Sequence, residues 1–193
     1  MSRAQQDLEQ ATRDVTYELQ NLVGSLRANE WIAREMTKST SRGTDSWKIL
    51  SNSTQEAFLL HYRNLKQFLN NLKYDSDVKA EHFSDSWQST SSVVGEKDED
   101  DRLNRRLAHI SYDRKSLAKD WDYRAMEDRI CDVFDRFLKQ LKPQCKSHFD
   151  GCEQLLALRR GRPCLGPVSN RTDTARTFSV ELFGTFGTPF PVE

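Results

Sequence analysis

The chain is expected to fold as an all-α protein, a four- to five-helix antiparallel bundle with a largely irregular C-terminal tail. Three observations predict this. Apolar residues recur at spacings of three and four in four separate stretches, which puts them on one face of a helix each time. No convincing alternation of strand type occurs before residue 177. Glycine and proline gather beyond Pro143, at Gly151, Gly161, Pro163, Gly166 and Pro167, where they punctuate rather than extend helices. The expected division is therefore a helical bundle over 1–143 and an irregular or docked tail over 144–193.

The first helix is expected over 5–37. Leu8, Ala11, Val15, Leu19, Leu22 and Leu26 form its stripe, and Trp31, Ile32 and Met36 extend it. Gly24 weakens the middle by about 1 kcal/mol relative to alanine without breaking the pattern. The run Thr40 to Asp45 reads as a turn. A second helix follows over 46–73, with Phe58, His61, Leu65, Phe68 and Leu72 on one stripe. It starts either at Ser46 or at Ser53, since Ser53-Thr54-Gln55-Glu56 has the form of a capping box. His61 then falls among core positions, where a hydrogen-bonded, partly buried histidine is the simplest reading.

The longest break covers 74–95. Phe83 and Trp87 are expected to pin its first half against the helices, while the Ser- and Thr-rich second half has a solvated composition. The third helix, 96–114, opens on Glu96, Asp98, Glu99, Asp100 and Asp101. Negative charge there suits the helix dipole. Leu103, Leu107 and Ile110 mark its buried face. A fourth helix covers about 120–141, with Met126, Ile130, Val133, Phe134, Phe137 and Leu141 as its stripe and Pro143 as its stop. Phe178, Val180 and Leu182 alternate as a strand would, without an obvious partner strand.

Composition narrows the function classes. Charged residues make up 30% and the formal net charge is zero, so any attraction for nucleic acid has to come from a local patch. No apolar run reaches the roughly 20 residues of a membrane span, and the N-terminus carries no apolar leader segment. The expected location is the cytoplasm, where the four cysteines stay as thiols. Cys145, His148, Cys152 and Cys164 include zinc-ligand types, but their spacing matches no zinc pattern, so no metal is expected. The chain has no P-loop, no dinucleotide-binding glycine pattern, no HExxH and no GxSxG, and no cofactor is expected.

The greatest chemical density lies in Arg102 to Arg114. On a helix, Arg102, Arg105 and His109 share a face and Arg106 flanks it. A guanidinium fork binds two phosphate oxygens at once. An imidazole titrating near neutrality can take or give a proton. Together they could cleave RNA without metal, by activating the 2′-hydroxyl against the neighbouring phosphate. Asn104, Tyr112 and Arg114 lie in the same stretch as RNA contacts, and Arg63 of the second helix could add a guanidinium if the two helices are neighbours. The competing reading is a solvated helix whose arginines pair with the acidic run.

The segment Asn104-Arg105-Arg106-Leu107-Ala108-His109 resembles the signature of the HEPN superfamily, small helical bundles of which many are metal-independent ribonucleases in toxin–antitoxin and phage-defence systems. The family signature is commonly read as Arg-Asn-x-Leu-Ala-His. Here Asn104 stands in the arginine position and Arg105 in the asparagine position, while Arg102 restores a six-residue gap to His109. The run Ala57 to Leu65 is similar to the second helix of a group of uncharacterised bacterial HEPN-like proteins, and Asp77 to Phe83 to the loop after it. The resemblance covers roughly 45–140. It implies a homodimer with paired histidine-bearing helices, His109 in proton transfer, Arg105 or Arg102 on the phosphate, and an RNA substrate, with an antitoxin or other protein partner. Relatives whose motif departs from the pattern imply the alternative, a noncatalytic dimerisation or protein-interaction module.

Overall fold

The computed structural model describes residues 3–38, 45–70, 77–88, 97–108 and 121–160. Five α-helices form within them: α1 (Arg3–Lys38), α2 (Asp45–Leu69), α3 (Lys97–Ala108), α4 (Tyr123–Lys139) and α5 (Asp150–Arg160). Short 3₁₀ segments occupy Ala80–His82 and Pro143–Phe149. Among the described residues there is no strand. The all-α helical architecture is the one expected. The 178–182 alternation and the rest of 161–193 lie outside the described residues.

Cross-links fix the direction of the helices. Ser51 and Thr54 donate to Asn29 Oδ1 at 3.1 and 3.3 Å, and Asn64 donates to Glu18 at 3.1 Å. Partners on α2 rise in number as those on α1 fall, so the two helices form an antiparallel hairpin. Tyr123 meets Gln55, and Phe134 meets Phe68, so α4 runs alongside α2 in the same direction. Glu99 meets Arg129 while Arg102 meets Trp121, so α3 runs against α4.

The apolar stripes close on one core. Val15, Leu19, Leu22, Leu26, Phe58, Leu59, Leu65, Leu103, Ile130 and Phe134 are all buried in it. At one end it becomes almost wholly aromatic. The Phe137 ring sits 5.2 to 6.5 Å from those of Phe68, Phe83, Trp87, Phe134 and Phe149. Most of these pairs are edge-to-face, an arrangement worth roughly 0.5–1.5 kcal/mol per pair beyond the area buried.

The 77–88 loop is pinned as its aromatics predict. Phe83 and Trp87 are buried, and Trp87 Nε1 donates to Leu69 O at 2.9 Å. The Phe83 carbonyl accepts from the Lys142 backbone N–H at 2.9 Å, which ties the loop to the chain leaving α4. Residues 89–96 lie outside the described residues.

The structure bears on two points that the sequence left open. Ser53 does not cap α2. The helix already runs from Asp45, and the Ser53 hydroxyl donates to Ile49 O at 2.9 Å, satisfied within the helix. Packing continues beyond Pro143. That proline opens a 3₁₀ segment in the first-turn position where its missing N–H costs nothing. Cys145, Phe149, Cys152, Leu155 and Leu156 then enter the core, so one packed unit spans Met1–Arg162 and includes the first part of the expected tail.

Candidate functional site

The third helix is where sequence and structure converge. α3 is described from Lys97 to Ala108, within the helix expected over 96–114. Leu103 is fully buried and Leu107 half-buried against the core, as the stripe predicts. Ile110, His109, Tyr112 and Arg114 lie outside the described residues, as do the side chains of Arg105 and Arg106 on the helix itself.

The first turns of α3 are locked by charge. Lys66 of α2 is 2% exposed, although it lies in a polar stretch beside Leu65 and Phe68. Its ammonium donates to Asp100 Oδ1 at 2.8 Å and to Glu99 Oε2 at 3.1 Å. Glu99 Oε2 also accepts from the Tyr62 hydroxyl at 3.1 Å, and its other oxygen from Arg129 of α4 at 3.1 Å. Among the described residues, Lys66 and Arg129 thus join Glu99 and Asp100 in a charged network across three helices. Burial, and then the Glu99 carboxylate, push the Tyr62 phenol well above its ordinary range, so it stays a neutral donor.

One turn further on, the Arg102 guanidinium lies 4.2 Å from the centroid of the Trp121 ring, in the range of a cation–π contact. Trp121 is half-buried, and its Nε1 meets no hydrogen-bond partner among the described residues. Asn104 is half-buried on the same helix. Arg63 lies on α2, the helix that packs against α3, as the sequence reading required. It is half-buried, and its buried Nε has no hydrogen-bond partner among the described residues.

The second histidine takes the simpler of its readings. His61 is buried, with Nδ1 2.7 Å from Glu18 Oε2 and its ring edge-on to Tyr17 at 5.8 Å. Asn64 donates to the same carboxylate oxygen. The imidazole is thereby oriented by α1 and serves the α1–α2 joint.

Cys145 and Cys152 belong to the core, whereas His148 is exposed and Cys164 lies outside the described residues. Burial holds both thiols above their ordinary range, Cys152 up to about 11. Its Sγ lies 3.3 Å from the Thr16 hydroxyl, which fastens α5 to α1.

Sequence reasoning missed the group that organises this region. A lysine flanked by Leu65 and Phe68, together with an acidic run longer than a helix start requires, was the available signal. Neither half identifies the other across thirty residues. Trp121 was missed because it precedes the periodic part of α4. No protein-family model, no curated protein and no solved structure matches this chain.

Proposed function

We propose that the protein is an RNA-directed helical bundle of HEPN type, in which Arg102, Arg105 and Arg106 hold phosphate and His109 transfers the proton that starts metal-independent cleavage. Asn104, Arg63, Tyr112 and Arg114 flank that path as RNA contacts. The observation that carries this reading is the engagement of Glu99 and Asp100 by Lys66 and Arg129. On the competing reading, the arginines of α3 spend their charge on the acidic run at its start. Two acids of that run are instead committed to α2 and α4, and the cation-rich half of the helix follows after them.

The test is direct. Purified protein is incubated with mixed RNA in the presence of a chelator, beside His109→Ala and Arg105→Ala. Cleavage by the parent alone, with binding weakened as salt rises, supports the reading, since phosphate contacts release counterions. Equal cleavage by parent and His109→Ala, or neither cleavage nor binding by any of them, removes it.

One observation favours a second reading, a noncatalytic module for dimerisation or protein interaction. Arg102 already has a structural task on the Trp121 ring. If Arg102→Ala lowers stability and leaves RNA binding unchanged, that reading is preferred.

A further inference from the structure

We infer that the Lys66–Glu99–Asp100–Arg129 network is a latch that docks α3 as a separately releasable element and so sets where the Arg102–His109 run is presented. The inference rests on the proposed RNA reading for its functional consequence only.

Two features of α3 lead here. The first is how little apolar surface holds it. Among its described side chains, Leu103 is fully buried and Leu107 is half-buried against the core. By contrast α4 buries Met126, Ile130, Cys131, Val133, Phe134, Phe137 and Leu138. A helix this short is marginal by itself in water, so its persistence depends on what it docks against. The second is how completely its opening acids are used. Glu99 takes three donors from two helices, and Asp100 takes a fourth contact from Lys66.

The network is asymmetric in a way that suits release. Lys66 and Tyr62 are held at the α2 side, at 2% and 0% exposure, while Asp100 and Arg129 reach solvent, with side chains 40% and 42% exposed. When α3 lifts away, every charge in the set gains water at once. Undocking is therefore opposed by the paired geometry and not by a large apolar area. Elements with few buried apolar contacts open locally before the whole fold does. A ligand that binds only the docked arrangement of the Arg102–His109 run would hold the latch closed.

Amide hydrogen exchange on the full chain tests this without RNA. In Lys66→Met, exchange over 99–107 is expected to accelerate about tenfold or more, because Asp100 loses its ammonium contact and Glu99 loses one of its three donors. Residues 19–26 of α1 and 130–137 of α4 stay slower than 99–107 in parent and variant alike, because they open only with the whole fold. Arg129→Ala, at an exposed position that does not endanger folding, accelerates the same segment by a smaller factor, and Arg129→Lys restores it. Unchanged α3 rates in both Lys66→Met and Arg129→Ala overturn the latch, as does a parent in which 99–107 exchanges no faster than those core segments of α1 and α4. If Lys66→Met fails to fold, the Arg129→Ala and Arg129→Lys pair decides alone. RNA affinity measured on the same variants separates the two proposals. Selective opening of α3 in a chain that binds no RNA leaves the latch standing and removes the RNA reading, whereas RNA bound equally by parent and opened variants removes the link between the latch and the RNA path.

Discussion

Two faces of α2, both near its C-terminus, are held by opposite physics. One face enters an aromatic cluster, where Phe68 meets Phe83, Phe134 and Phe137. On the other, Lys66 and Tyr62 meet α3 through charge and hydrogen bonds that each need a particular atom. Apolar packing is non-directional and scales with area. A buried ion pair contributes little net stability while intact and costs much when one member is lost. The aromatic face is thus the source of stability, and the α2–α3–α4 seam is the source of a definite position for α3.

The largest expected effect lies at the aromatic face. Phe137→Ala should lower unfolding free energy by about 3–5 kcal/mol, read from denaturant melts, because it opens a cavity shared by five rings. At the seam, Lys66→Met should cost less globally, about 2–3 kcal/mol, since the residual carboxylates can turn to solvent. A loss at Lys66 equal to that at Phe137 would erase the distinction between the two faces.

Alkaline titration probes burial in both. Cys152 has a raised folded value of about 11 against an ordinary 9.0, so the unfolded chain loses that proton first. Stability should be unaffected below pH 9, fall as pH rises from 9 to about 11, and level off for this group above that. Tyr62 is raised in the same sense from 10.0 and continues the fall. Cys152→Ala should flatten the first part of that slope, and a slope unchanged in the variant would assign the loss elsewhere. The smallest effect is expected at Asp122, whose carboxylate accepts from the Ala125 N–H at 2.9 Å at the start of α4. Asp122→Ala should cost about 1 kcal/mol, visible as a small shift in melting temperature.

These contrasts explain what the sequence disclosed. Helices α1, α2 and α4 were legible because their burial is periodic, and period is a local signal. Phe83 and Trp87 showed that a loop was pinned, for the same reason that large apolar groups leave water. The 150–160 helix was missed because Gly151 and the flanking prolines resemble loop punctuation, while Cys152, Leu155 and Leu156 form too short a stripe to overrule them. In the candidate site, Leu103 and Leu107 were placed correctly. The Lys66–Glu99–Arg129 set was not, because ion pairing between helices depends on tertiary register and leaves no period to read. The Arg102–Trp121 stack was invisible for the same cause.

The bond between the Phe83 carbonyl and the Lys142 amide gives the 77–88 segment a mechanical role. Lys142 also reaches His82 O at 3.3 Å and Asp85 at 2.9 Å, so one residue after α4 grips the loop at three points. Force or proteolytic cleavage applied there is transmitted to the connection between α4 and α5. A cut within 83–87 should therefore loosen the far helix, a long way along the chain from the break, and this stretch is a poor place to graft a tag or split the polypeptide.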